Sequence, residues 1–247
     1  MSDYNRGFTR APTAPADMAV DAGLRSFMLG GYNKVGLGLV PSGALAWLTS
    51  HAPVANLMFR LTPDGRLAGY TILGMAVVFA PLVILLGSNF VRNVTPRGAG
   101  LLYWTIVSLI GASLGTVVLV YTGASVATTF FVTATAFGGL SLFGYTTKKD
   151  LTGFGSFLLV GLLGLMIASI VNIFLHAPAL SFIISALGVL IFAGLIAFDT
   201  QRLKMTYYQL GGDQAAMGVA TNYGALSLYI NFINLFQFLL MFLGNRR

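Results

Sequence analysis

The polar residues of this chain are confined to short stretches that separate long apolar segments. Each apolar segment is close to the roughly 20 residues that a helix needs to cross a bilayer. After a polar stretch at residues 1–26, seven such segments follow, at about 28–50, 67–90, 99–121, 124–145, 154–175, 178–199 and 219–243. The pattern therefore predicts an all-α integral membrane protein, a bundle of seven transmembrane helices.

The connections between these segments are short. Residues 121–124 leave almost no loop between the third and fourth segments, and residues 175–178 leave almost none between the fifth and sixth. Pro178 suits the first turn of a helix. We therefore predict one membrane domain over residues 27–247, preceded by a flexible polar tail at residues 1–26. This tail lacks the apolar core of a secretory signal peptide.

The composition supports a membrane environment. Of 247 residues, 56% are hydrophobic and 9% are charged, whereas soluble domains carry roughly 25% charged residues. So little polar material cannot cover a water-facing surface, and a lipid bilayer is the simplest solvent. The net charge of +7 does not indicate nucleic-acid binding, because the basic residues are scattered rather than clustered on one face. Basic loops beside anionic lipid explain the charge better.

The distribution of lysine and arginine predicts the orientation of the chain in the membrane. Nine basic residues fall on one side of the seven segments: Arg6, Arg10, Arg25, Arg92, Arg97, Lys148, Lys149, Arg202 and Lys204. Four fall on the other side: Arg60, Arg66, Arg246 and Arg247. Lys34, near the start of the first segment, can extend its ammonium group to the first side. Because the cytoplasmic side carries more positive charge, we predict a cytoplasmic N-terminus and an external C-terminus.

The residues needed for covalent or metal catalysis are missing. The chain has no cysteine, which excludes thiolate metal sites and cysteine nucleophiles. His51 and His176 fall at segment ends, without ligand-like neighbours at helical spacing. No phosphate-binding loop or dinucleotide-binding motif is present. The sequence therefore predicts a protein that is not an enzyme and that has no cofactor.

Asp199 differs from the other acidic residues in its position. It ends the sixth apolar segment, in GLIAFDTQRL (194–203), whereas the other six aspartates lie in the tail or in loops. An ionised carboxylate within a membrane usually pairs, faces water or takes up a proton. Two interpretations stay open. Asp199 either belongs to a functional site inside the membrane, or lies at the interface, where Arg202 and Lys204 are within reach.

Amide side chains follow one face of the seventh segment. Asn231, Asn234 and Gln237 recur at intervals of three residues, and Asn172 is a further amide in the fifth segment. Lipid cannot satisfy amide groups, so we expect them to face the bundle interior. Such groups can serve only to join helices. Together with Asp199, however, they favour a polar site or a narrow water path.

Small residues predict close contacts between helices. Gly111 and Gly115 have the spacing that lets two membrane helices approach closely. We interpret this spacing as packing within the bundle rather than as a dimer interface, because most such faces are internal.

Three stretches of the chain carry a family resemblance. They are FGGLSLFGYTTKKDLTGFGSFLLVGLLGLMIASIVNIF (137–174), GVLIFAGLIAFDTQRL (188–203) and ALSLYINFINLFQFLLMFLG (225–244). They are similar to the Bax inhibitor family, the transmembrane Bax-inhibitor-motif proteins of bacteria and organelle membranes. The resemblance extends more weakly back to LRSFMLGGYNKVGLGL (24–39). It implies a seven-helix bundle in which the last helix is central, and it favours the bacterial inner membrane.

The resemblance also implies site residues. In this family, a pH-sensitive calcium leak is associated with two aspartates, one at the end of helix six and one within helix seven. The first falls on Asp199, but the second falls on Asn231, because this chain reads LYINFINLF where the family has LYLDFINLF. The family further implies an arginine near the end of helix two that pairs with the first aspartate as a latch. Of Arg92 and Arg97, Arg92 matches better.

Two functions stay open at this stage. In the first, the protein is a pH-modulated leak for Ca²⁺ or other cations. Asp199 would then bind Ca²⁺ weakly and transiently, with Asn231 and Asn234 as neutral oxygen ligands. In the second, it is a membrane interaction protein that does not conduct ions. Some bacterial relatives are associated with restraining a membrane-bound protease and eukaryotic ones with suppressing cell death, and the tail at residues 1–26 would contact the partner.

Overall fold

The computed structural model describes residues 14–88, 90–91 and 93–247. Within these residues the chain is mainly helical, with one short hairpin between its second and third helices. The helices are α1 (Ala14–Thr49), α2 (Val54–Met58), α3 (Ile72–Ser88), α4 (Pro96–Ser113), α5 (Gly115–Val120), α6 (Gly123–Thr146), α7 (Thr152–Leu175), α8 (Pro178–Gln209) and α9 (Gln214–Leu243). Strands β1 (Phe59–Leu61) and β2 (Leu67–Tyr70) form the antiparallel hairpin.

Five helical stretches of the described chain are long and apolar enough to cross a membrane. They are α4 continued by α5, followed by α6, α7, α8 and α9. Helix α3 is apolar but shorter, at 17 residues. The prediction of a helical membrane protein is therefore confirmed, and the third to fifth predicted segments match helices to within a few residues.

The N-terminal part differs from the prediction in two places. Helix α1 begins at Ala14, so the predicted boundary after residue 26 falls inside this helix, and residues 1–13 lie outside the described residues. The second segment, predicted over 67–90, begins as strand β2 and becomes helical only at Ile72. The missed signal is Asp64-Gly65, a dipeptide typical of hairpins. Gly65 has φ +74°, a left-handed conformation that glycine adopts at little cost.

The turn between α8 and α9 returns the chain directly onto α8. Gly211 and Gly212 form this turn with positive φ angles of 55° and 92°. The Asp213 carboxylate then caps α9, where its Oδ1 accepts hydrogen bonds from the backbone N–H groups of Ala215 and Ala216 at 2.9 and 3.1 Å. Such caps satisfy amide groups that a helix leaves free at its N-terminus. Helix α9 therefore begins immediately beside the end of α8.

Helix α9 is the most buried of the five long apolar stretches. Half of its most apolar window is buried, against a third or less for each of the others. It contacts α1, α4, α6 and α8. Its Tyr229 packs in one cluster with Tyr103 of α4, and its Leu235 packs in a second cluster with Ile196 of α8. Two parts of the hydrophobic core thus meet along α9.

The glycine pair of α4 and α5 packs against α1. A Cβ atom added to Gly111 would lie 2.5 Å from the Cα of Ser42, and one added to Gly115 would overlap the hydroxyl of Thr49. The backbones can approach this closely only because side chains are missing at both positions. The interpretation that these glycines serve packing within the bundle is therefore confirmed.

Candidate functional site

Asp199 lies within helix α8 and not at its end. The helix continues to Gln209, so the predicted sixth segment stopped too early. Asp199 is 6% exposed, and its neighbour Thr200 is fully buried. The predicted end of the sixth segment at Asp199 is therefore wrong, whereas the expected proximity of Arg202 to Asp199 is confirmed.

Both carboxylate oxygens of Asp199 have hydrogen-bond donors. Oδ1 pairs with Nη2 of Arg202 at 2.8 Å. Oδ2 accepts a hydrogen bond from Nδ2 of Asn231 at 2.7 Å and another from the hydroxyl of Ser227. Since Ser227 and Asn231 belong to α9, the carboxylate joins the two helices. The structure thus brings Asp199 and Asn231 together, and it adds Ser227, which the sequence analysis missed.

Arg202 is the cation that pairs with Asp199. It lies about one turn further along α8, with its guanidinium 5.5 Å from the ring centre of Phe198. It also donates a hydrogen bond to the Ser227 hydroxyl at 3.3 Å. Its side chain is 53% exposed, so it reaches from the surroundings to a buried acid. Arg92, the predicted latch, lies outside the described residues.

A cavity of about 350 Å³ opens beside this pair. Asp199, Arg202 and Ser227 form part of its wall. The rest of the wall comes from Leu85 of α3, from Leu203 and Thr206 of α8, and from Ala220, Tyr223, Gly224, Leu226 and Ile230 of α9. The buried carboxylate is therefore at the edge of a space large enough for several water molecules.

Two hydrogen-bonded groups fix α8 next to Asp199. The Gln201 side chain accepts from the N–H of Leu151 and donates to the carbonyl of Lys149, both at 2.8 Å. Nζ of Lys204 donates to the carbonyl of Tyr145 at 2.8 Å. These contacts attach the end of α6 and the connection between α6 and α7 to α8, so α8 is held near the site by elements other than α9.

The other predicted polar residues have different partners. Nδ2 of Asn234 donates to the carbonyl of Ile230 in its own helix at 2.8 Å, and Gln237 is half-buried further along α9. Asn172 closes the turn between α7 and α8: its Nδ2 donates to the Ser181 hydroxyl at 2.7 Å, and its Oδ1 accepts from Ala177 N–H at 3.2 Å. Asn172 therefore has a local structural role, and only Asn231 of the predicted amides contacts Asp199.

A second polar group was missed by the sequence analysis. Nζ of Lys34 donates a hydrogen bond to Oδ1 of the buried Asn222. Nδ2 of Asn222 in turn donates to the carbonyls of Gly218 and Pro96 at 2.8 and 3.3 Å. Lys34 thus links α1 to α9, whereas the sequence suggested only that it extends toward the interface. The available signal was an asparagine within the seventh apolar segment.

Comparisons with known proteins agree with this architecture. The family model described as "Inhibitor of apoptosis-promoting Bax1" matches residues 24–247. An uncharacterized protein of Caulobacter vibrioides is 70% identical over the whole of both chains. The protein RP147 of Rickettsia prowazekii is 42% identical, again over the whole of both chains. The inner membrane protein YbhL of Escherichia coli K12 is 38% identical over 96% of this chain and 99% of its own. The chain therefore belongs to the Bax inhibitor family of membrane proteins.

Proposed function

We propose that this protein crosses the bacterial inner membrane seven times, with α9 at the centre of the bundle. Helices α1 and α3 would supply two spans in addition to the five long apolar stretches. The contacts of α9 with four other helices support its central position. The name of the Escherichia coli relative, an inner membrane protein, supports the location. The lysine and arginine distribution supports a cytoplasmic N-terminus and an external C-terminus.

Its proposed activity is a slow leak of cations, Ca²⁺ among them, that the Asp199 site controls. The observation that carries this proposal is a buried carboxylate in the wall of a cavity, held by donors from two helices. A cation in the cavity could compete with Arg202 for the Asp199 carboxylate, since the Arg202 side chain is half-exposed. Calcium takes six to eight oxygen ligands. One carboxylate with the Ser227 hydroxyl and the Asn231 amide oxygen provides fewer, which suits passage better than storage.

Asn231 is expected to make this leak less dependent on pH than a pair of aspartates would make it. Two adjacent carboxylates repel each other when both are ionised, so such a pair exchanges a shared proton as the pH changes. The amide of Asn231 donates its N–H at every pH. The donor in the 2.7 Å contact with Asp199 is therefore the same at every pH.

Ca²⁺ flux into proteoliposomes between pH 6 and 8 tests the proposal. Asp199→Asn removes the charge that attracts the cation, so we expect flux to fall about tenfold. Arg202→Gln removes the competing cation, and we expect flux to rise. Asp64→Asn, at an exposed position of the hairpin turn, is the control and should match the wild type. If both site variants also match it in folded, inserted protein, the leak proposal fails.

The second candidate is an interaction protein that modulates a membrane-bound partner such as a protease. Both oxygens of Asp199 already have donors, as expected if this carboxylate only links α8 to α9. A structural role for Asp199 would favour a protein that does not conduct ions. Deleting residues 1–13 removes the polar segment and leaves α1 intact from Ala14. For a leak, this deletion should spare flux. For an interaction protein that binds through its tail, it should abolish the effect on the partner, measured as the degradation rate of the protease's substrate.

A further inference from the structure

A groove of about 490 Å³ lies between α1 and α6. It shares no lining residue with the cavity at Asp199. Its surface is mainly apolar, with Leu29 of α1 and Leu142 of α6 on its edges, 47% and 63% exposed. Exposed edges of this kind open the groove to the surroundings of the bundle, which in a membrane protein are lipid.

The groove has room along α6 because of one glycine. A Cβ atom added to Gly138 would meet no atom within 4 Å, so the space over this residue is open. At one end, Tyr32 and Phe137 close the groove with an edge-to-face ring contact at 6.3 Å. The groove therefore has a closed end, an open side and a floor that a hydrocarbon chain can contact.

Arg25 places a positive charge at the opposite end. It is exposed, and among the described side chains that line the groove it is the only charged one. Arg25 and Tyr32 are separated by two turns of α1, about 10 Å along the helix axis. Guanidinium groups bind phosphate oxygens in a bidentate manner, and a basic residue near a membrane surface attracts anionic lipid.

Three buried hydroxyl groups lie close together beside the groove. The hydroxyl oxygens of Tyr32, Ser141 and Thr200 have no partner with good hydrogen-bond geometry among the described residues, although Tyr32 is near enough to the other two to interact with them. Tyr32 and Ser141 also line the groove. Buried hydroxyls are normally paired. A rotation about χ1 would let Ser141 donate to an acceptor in the groove, and the ester and phosphate oxygens of a phospholipid are acceptors only.

We infer that this groove binds an anionic phospholipid, whose phosphate contacts Arg25 and whose acyl chain lies over Gly138. The charge at one end, the apolar floor and the hydroxyl groups match the three parts of such a molecule: head group, chain and ester oxygens. Binding does not require the leak, so either proposal can fail without the other.

Lipid retention by the purified full-length protein tests the inference. The protein is incubated in detergent with equal amounts of phosphatidylglycerol and phosphatidylcholine, and bound lipid is counted by native mass spectrometry. We expect the wild type to prefer phosphatidylglycerol. Arg25→Gln should reduce that preference about fivefold, the effect of losing roughly 1 kcal/mol of attraction. Lys148→Gln, which neutralises an exposed loop lysine, is the matched control and should change little.

Substitutions at two neighbouring glycines distinguish the effect of filling the groove from a general effect on α6. Gly138→Leu places a side chain in the groove and should lower retention of both lipids. Gly139→Leu adds the same side chain at an equally open position that does not line the groove, and retention should stay as in the wild type. Equal thermal denaturation midpoints for the two variants would show that both are folded. The inference is overturned if the two variants retain lipid equally, or if the wild type does not prefer the anionic lipid.

Discussion

Asn231→Asp is expected to make both the stability and the flux of this protein steeply dependent on pH. The new carboxylate would replace an amide that now lies 2.7 Å from Oδ2 of Asp199. The two carboxyl groups can hydrogen-bond to each other only while one of them holds a proton, and two ionised carboxylates at this distance repel. The folded variant would therefore bind one proton more tightly than the unfolded chain. Because protonation then stabilises the folded variant more than the unfolded chain, its free energy of unfolding falls as the pH rises.

The size of this effect can be estimated from the burial of the site. An uncompensated buried charge costs about 3 kcal/mol or more, so we expect a loss of that order at pH 8 and a much smaller loss at pH 5. Thermal denaturation in detergent at both pH values measures this loss against the wild type. Ca²⁺ flux measured over the same range should become steeper with pH in the variant if the leak proposal is correct.

A double variant is the control for this experiment. Asp199→Asn combined with Asn231→Asp keeps one carboxylate and one amide but exchanges their helices. The repulsion between two acids is then absent, and the steep pH dependence should disappear. If the double variant is as pH-dependent as Asn231→Asp alone, repulsion between the acids is not the cause, and simple burial of a carboxylate on α9 explains the result.

Gly111→Ala is expected to produce the second large effect, a loss of about 3 kcal/mol in the free energy of unfolding. The added methyl group would lie 2.5 Å from the Cα of Ser42, and main-chain atoms cannot move aside as the end of a side chain can. Overpacking of this kind usually costs 1–3 kcal/mol, and backbone contacts fall at the upper end. The denaturation midpoint of the purified protein should fall accordingly.

Gly164→Ala is the matched control for this substitution. Gly164 lies on an exposed part of α7, and a Cβ atom there meets no atom within 4 Å. Alanine favours a helix over glycine by up to about 1 kcal/mol. The same chemical change should therefore destabilise the protein at position 111 and leave it unchanged or slightly more stable at position 164. Equal losses at both positions would refute the close contact between α1 and α4.

The sequence predicted the parts of the site that depend on spacing within one helix or on the family resemblance. Arg202 is three residues from Asp199, so helical geometry alone brings it within reach. The contact with Asn231 followed from the family resemblance, since nothing local relates two residues on different helices. Ser227 gave no signal, because a serine within an apolar helix usually bonds to its own backbone. Only the register between α8 and α9 shows that it donates to Asp199.

The same distinction explains the errors in the fold. Apolar runs located the membrane helices well, but they could not show that α8 continues past Asp199. Hydropathy falls where a helix leaves the apolar layer, whereas the backbone hydrogen bonds of the helix continue. Residues 67–70 are apolar enough to extend the following helix, yet they pair with β1. The link between Lys34 and Asn222 spans 188 positions, which exceeds any spacing rule that a single sequence provides.

The position of α9 has a consequence for biogenesis. A ribosome makes α9 after α1 to α8, yet α9 contacts α1, α4, α6 and α8 and provides two of the three donors that the described residues offer to Asp199. Until α9 is inserted, the earlier helices lie in the membrane without the contacts that α9 makes to them. During that time Asp199 has, of these three donors, only Arg202 within α8 as its partner. The Asp199 site is complete only when α9 enters between helices that were inserted before it.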